Sequence, residues 1–145
     1  MTLRLIGPAP PAIAFRDDRI VATGFVDDLA EALDRISLVL APIEFGGGMR
    51  VKVIEALAAG KVVVGTELAL AGLPLELRRV AITATTDRQF AAAAVELLAD
   101  PGELARRGAQ CRAAALAWLD LERAADRYDD LYAHIDELRA GQAVR

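Results

Sequence analysis

Glu44-Phe45-Gly46-Gly47-Gly48-Met49-Arg50-Val51-Lys52-Val53-Ile54-Glu55-Ala56-Leu57-Ala58-Ala59-Gly60-Lys61 is the stretch that decides how the chain folds. It follows an apolar run over residues 38–42 that reads as a buried strand. It opens with three glycines and then turns helical, with Val51, Ile54, Glu55, Leu57 and Ala58 at helical spacings and Gly60 as the stop. Val62-Val63-Val64 follows at once as a second apolar run. Strand, glycine loop, helix, strand is the unit that sets a helix N-terminus at the carboxyl edge of a parallel sheet.

Such a unit favours anions. The first turn of a helix carries unpaired N–H groups and a partial positive charge, and glycines let a ligand come close to the backbone. Arg50 and Lys52 place two cations in or near that first turn. Phosphate is the expected anion. Glu55 lies about one turn deeper, where a carboxylate accepts hydrogen bonds from sugar hydroxyls. The competing reading is a plain tight loop that uses glycine for its geometry alone.

Outward on the amino side, Leu3-Arg4-Leu5-Ile6 reads as a strand ended by Gly7-Pro8, and Pro10 and Pro11 leave room only for a short helix over residues 12–17. A second strand is expected over residues 19–26. Asp27 is expected to cap a helix over 29–36 with Leu29, Leu33 and Ile36 on one face. Residues 37–42 form the third strand, apolar throughout as a central parallel strand should be.

Outward on the carboxyl side, a fourth strand is expected over 61–66, a loop over 67–77 because it holds Gly72 and Pro74, and a short strand over 80–85. Asp87 is the expected cap of a helix over 88–98 with Phe90, Ala94 and Leu97 inward. Asp100-Pro101 breaks the chain and starts the next helix. Leu104, Cys111, Ala115 and Trp118 make one helical stripe; Tyr128, Leu131, Tyr132, Ile135 and Leu138 make another, with a break near 119–123 where the phase shifts. Residues 1–140 are expected to form one domain, and 141–145 a disordered tail.

A chain of 145 residues can bury a real core, and 54% hydrophobic with 26% charged content places it among ordered globular folds. The net charge of −4 gives no footprint for nucleic acid. One cysteine, Cys111, excludes an internal disulfide, and no metal set is expected. No apolar run is long enough to cross a bilayer, and the early prolines do not fit a signal peptide, so a cytoplasmic location is expected. Cys111 reads as a buried inert thiol, His134 as solvated, and Trp118, Tyr128 and Tyr132 as core or interface anchors.

Alternating strands and helices give an α/β fold with a Rossmann-like parallel sheet flanked by helices and a C-terminal helical extension. The loops of residues 26–28, 44–50 and 66–72 are expected on one rim, at the strands' carboxyl ends. The ordered set Leu3-Arg4-Leu5-Ile6-Gly7-Pro8, Thr23-Gly24-Phe25-Val26-Asp27-Asp28-Leu29, Leu40-Ala41-Pro42, Glu55-Ala56-Leu57-Ala58-Ala59-Gly60-Lys61 and Gly72-Leu73 resembles the donor-binding C-terminal domain of the group 1, family 4 retaining glycosyltransferases, half of the GT-B fold.

The resemblance implies a nucleoside-diphosphate sugar (UDP- or GDP-linked) as donor substrate, with no other cofactor and no metal. Two glutamates flank a glycine-containing loop in the family motif. Glu55 matches the second and would bind the ribose hydroxyls, while Gly47 stands where the first is expected. Glu44, three residues earlier, would take the catalytic place only through a longer loop. The amides of Gly46, Gly47, Gly48 and Met49 would face the diphosphate, with Arg50 and Lys52 assisting or turned to solvent, and the turn after Thr23-Gly24 would lie near the base.

The family's upstream Arg and Lys pair and its acceptor domain have no counterpart here. The expectation is an incomplete domain, truncated on its N-terminal side and inactive alone. A central gap in the sheet would follow if the strands kept their family positions, so either the strands close up or another chain, in a homodimer or as a separate N-terminal domain, supplies the pairing. The alternative is a non-catalytic dimerisation module using the Trp118 and Tyr128 face. A Glu44/Glu55 glycosidase pair and a dinucleotide binder fit less well, the latter because the glycine spacing is wrong.

Overall fold

The computed structural model describes residues 1–8 and 17–142; the short helix expected over 12–17 falls outside them except for Asp17, and so do residues 143–145. The chain divides into two compact units, Met1–Ser37 and Leu38–Arg145.

In the first unit, β1 (Leu3–Ile6) and β2 (Ile20–Gly24) pair in parallel, with Leu3 opposite Ile20. The Thr23 hydroxyl donates to the Leu5 carbonyl at 3.2 Å. β2 stops two residues short of expectation because Gly24 takes φ +69, which turns the chain out of the strand. Helix α1 (Leu29–Asp34) is capped by Asp28, whose carboxylate accepts from the Glu31 N–H at 2.9 Å. This corrects Asp27 as the cap: the oxygen that reaches the third N–H belongs to the residue just before the helix. The helix also ends before Ile36, at an Arg35 C-cap. Leu33 is the one buried residue among the described residues of this unit.

The second unit is built on a parallel sheet in the order β3-β4-β5: β3 (Leu38–Ala41), β4 (Val62–Gly65) and β5 (Ile82–Thr83). β4 is central and buried along its whole length, which is why Val62-Val63-Val64 carries no polar residue. Val62 and Val64 pack with Ala84 and Leu97, bordered by Leu38, Leu40, Ile82 and Phe90. Leu38 pairs with Val62 and Ala41 with Gly65, so both strands end level and their following loops leave from the same edge.

Helix α2 (Val51–Ala58) buries Val53, Ile54, Ala56 and Leu57. The buried stripe therefore includes Val53 and leaves Val51 exposed, a change of phase from the spacing expected. The expected loop of 67–77 is instead two short helices, α3 (Glu67–Leu70) and α4 (Leu75–Val80). Thr66 caps α3 by accepting from the Ala69 N–H at 3.0 Å, and Leu70 and Leu77 bury their side chains. Gly72 at φ +77 and Pro74 mark the junction between helices rather than an open loop.

Helix α5 (Asp87–Ala99) turns Ala94 and Leu97 inward, and its cap is Thr86, accepting from the Gln89 N–H at 3.3 Å, in place of Asp87. Helix α6 (Pro101–Trp118) starts on an Asp100 cap and buries Gly108, Cys111 and Ala115. It packs on α2, and Gly108 meets the backbone of Gly60 so closely that a Cβ there would lie 2.4 Å from the Gly60 oxygen.

The chain breaks at Leu119–Asp120 and continues as α7 (Leu121–Gln142), which runs through Gly141 and Gln142, expected as tail. Trp118, Tyr128 and Tyr132 are exposed, so they anchor no core among the described residues. No helix among the described residues is long and apolar enough to cross a membrane. The α/β organisation expected from the sequence, parallel strands flanked by helices, is present.

Candidate functional site

The glycine loop leaves the carboxyl end of β3 under firm control. The Ile43 N–H donates to the Ala41 carbonyl at 2.9 Å, and the Thr66 N–H donates to the same carbonyl at 3.2 Å. The Thr66 hydroxyl donates to the Ile43 carbonyl at 2.5 Å while accepting from Ala69. One threonine therefore ties the start of the loop, the end of β4 and the first turn of α3 together. Sequence reasoning missed it; the signal was a threonine placed directly after a buried strand and three residues before the amide it caps.

Beyond Ile43 the loop swings free. Gly46 has φ +109 and Gly48 φ +81, conformations that a side chain makes costly, so two of the three glycines are required by the path itself. A Cβ at Gly47 or Gly48 would meet nothing within 4 Å, so the loop faces open space. Among the described residues, no backbone N–H of Gly46, Gly47, Gly48, Met49, Arg50 or Lys52 donates to a protein acceptor. Arg50 stands at the N-cap position of α2 without a side-chain cap bond. The Val51 and Val53 N–H groups donate to the Met49 and Arg50 carbonyls, so in the first turn the Lys52 N–H is the donor left open, at the helix's partial positive end.

Arg50 is not turned to solvent. Its guanidinium folds back onto the loop: Nη2 donates to the Gly46 carbonyl at 2.7 Å and Nη1 to the Gly47 carbonyl at 3.0 Å. Nε reaches the Leu68 carbonyl of α3 at 3.4 Å. Lys52, in the first turn of α2, is exposed. Glu55 sits one turn further along between buried Ile54 and Ala56, with its own side chain on the exposed face. Glu44 is exposed at the loop's start, and Phe45 and Met49 leave 86% and 63% of their surface to solvent beside the free amides.

The expected rim is thus assembled in part. The loop of 44–50 and the segment from Thr66 are joined by the Thr66 and Arg50 bonds, whereas residues 26–28 belong to the first unit. Cys111 is buried, its thiol donates to the Val80 carbonyl at 3.6 Å, and burial raises its pKa, so it stays a thiol. Among the described residues no three His, Cys, Asp or Glu side chains gather as a metal set. A groove of about 780 Å³ lies elsewhere, between α6 and α7, lined by Ala114, Ala117, Trp118, Tyr128 and Leu131. Its lining is mainly apolar, with Glu76 and Arg127 as its charged residues, and it holds none of the loop residues.

The family model described as Glycosyl transferases group 1 matches residues 1–100, which take in the glycine loop, α2, Thr66 and α3 and stop before α6. No curated protein matches the chain.

Proposed function

Because the chain belongs to the Glycosyl transferases group 1 family, we propose that it carries the donor side of a glycosyl transfer, holding a nucleoside-diphosphate sugar at the glycine loop. The observation that supports this most is the row of unpaired amides from Gly46 to Arg50 at the mouth of α2. A diphosphate laid across them accepts several hydrogen bonds at the positive end of a helix. Lys52 adds a full charge on the same turn, and Glu55, with its side chain exposed one turn deeper, accepts from the ribose hydroxyls. Fixed donors at the diphosphate stabilise the charge that develops there as the sugar–phosphate bond breaks, without the cost of reorganising water. In this reading Glu44, exposed at the loop's start, is the carboxylate that serves the sugar. The acceptor is bound by a further domain, and transfer requires both.

Calorimetric titration with UDP and with GDP tests this reading. Saturable binding by one of them, weakened about tenfold or more in Glu55→Ala, is the expected result, since a lost hydrogen bond to a charged group costs roughly 1.5–3 kcal/mol. No heat at millimolar nucleotide refutes it. A second reading, a dimerisation module, is favoured by one feature: Leu121, Tyr128, Leu131 and Tyr132 of α7 are all exposed. Sedimentation equilibrium tests it, because the module reading requires a dimer that Tyr128→Asp dissolves.

A further inference from the structure

We propose that Arg50 is a positioning residue of this site: it grips the carbonyls of the glycine loop from behind and so aims the loop's amides outward, and it does not bind the anion itself. The inference rests on the donor-site reading above.

The geometry runs through the peptide planes. In a trans peptide the carbonyl of one residue and the N–H of the next point in opposite directions. Nη2 holds the Gly46 oxygen, which turns the Gly47 N–H away from the guanidinium. Nη1 holds the Gly47 oxygen, which turns the Gly48 N–H away in the same manner. Both amides are free of protein acceptors among the described residues. The third bond, to the Leu68 oxygen, anchors the guanidinium to α3, which Thr66 has already fastened to the base of the loop.

The choice of residue follows from the task. Three consecutive glycines are the most freely moving stretch a chain can contain, and ordering them on ligand binding would weaken affinity. A planar fork with donors at fixed spacing spans two neighbouring carbonyls; an ammonium offers a single point and does not. Among the described residues no carboxylate pairs with Arg50. Its charge therefore stands behind the amides and favours an anion in front of them at a distance. Direct ionic contact falls instead to Lys52, which is exposed and makes no contact with the loop carbonyls.

The test uses the 145-residue chain, isotope-labelled, as wild type, Arg50→Ala, Arg50→Lys and Lys52→Ala. Without any nucleotide, the amide resonances of Gly46 to Met49 are expected to move toward unstructured positions and exchange faster in Arg50→Ala and Arg50→Lys alike. Millimolar guanidinium should restore them in Arg50→Ala, and ammonium should not. With nucleotide, both Arg50 variants should weaken UDP or GDP about tenfold or more through lost preorganisation. In Arg50→Lys, which keeps the charge, the salt dependence of Kd should stay as in wild type, while Lys52→Ala flattens it, as loss of a direct ionic contact does.

Unchanged loop resonances in both Arg50 variants, or wild-type nucleotide affinity in Arg50→Lys, would overturn the proposal, and the second result would make Arg50 a direct anion ligand. Should Arg50→Ala not fold, Arg50→Lys decides, because it keeps the stem and the charge but not the fork. If wild type binds neither nucleotide, the donor reading fails on that result alone, while the ligand-free spectra still decide what Arg50 does.

Discussion

Replacing Gly108 by alanine should loosen the seat of the helix that carries the site. A Cβ at Gly108 would stand 2.4 Å from the Gly60 oxygen and 3.5 Å from its carbonyl carbon. Real contacts of this kind do not fall below 3.0 Å. Both partners are backbone, so no rotamer relieves the clash, and α6 must retreat from the α2–β4 turn by roughly 0.6 Å or more. Cys111 and Ala115 lie on the same face of α6 and are fully buried, so the retreat also opens their packing. Overpacking of this sort costs typically about 1–3 kcal/mol, and a clash with no escape belongs near the upper figure. For a chain of this size that is a fall in Tm of roughly 5–10 °C.

Gly60→Ala is the internal comparison. Its Cβ would meet the Gly108 oxygen at 3.5 Å and the Arg112 Cβ at 3.6 Å, ordinary contacts, so only φ +72 opposes it. That strain is about 1–2 kcal/mol, or roughly 2–8 °C. Thermal melts followed by helical circular dichroism measure both. A Gly108→Ala melt within about 1 °C of wild type, or milder than Gly60→Ala, would refute the account of this helix contact.

Two further outcomes are expected. Thr66→Val keeps the shape of the side chain but removes the donor to Ile43 and the acceptor for Ala69; it should cost about 1–2 kcal/mol, lower Tm by roughly 2–8 °C and speed amide exchange in the loop. Glu103 receives hydrogen bonds from Arg106 and Arg107, which hold its pKa down at about 2 from an ordinary 4.5. Its stabilisation is therefore complete above about pH 4.5 and disappears as pH falls toward about 2, because the unfolded chain takes up the proton first. Urea titrations of Glu103→Gln should lose that part of the acid slope, and high salt should shrink it in wild type, since the group is solvent-accessible.

The sequence was most legible where periodicity and punctuation agree. Asp100-Pro101 opens α6 where expected, and Ala94 and Leu97 face inward because their spacing leaves no other face for α5. Residues 67–77 misled because Gly72 and Pro74 are loop formers taken alone, whereas here one turns between two short helices and the other precedes the second. Both displaced caps, Asp28 for Asp27 and Thr86 for Asp87, reflect neighbouring residues of nearly equal capping power, and only the built backbone chooses between them. In the site, the glycine loop between a buried strand and a helix followed from the sequence, whereas the outward face of Glu55 did not, since the spacing set it on one stripe with Val51, Ile54, Leu57 and Ala58. The Arg50 bond to Leu68 did not, because its acceptor lies 18 residues away on a helix that the sequence had hidden.

Leu33 is the one buried side chain among the described residues of the first unit, and this has a consequence for how the molecule comes apart. The amides of β1 and β2 should trade their protons for deuterium early, and a protease added at low dose should nick residues 1–37 first. β4, sealed along its whole length, should be the slowest to exchange. The glycine loop is fastened to that slow-opening sheet, so its aim should outlast the fraying of the amino end as the temperature rises.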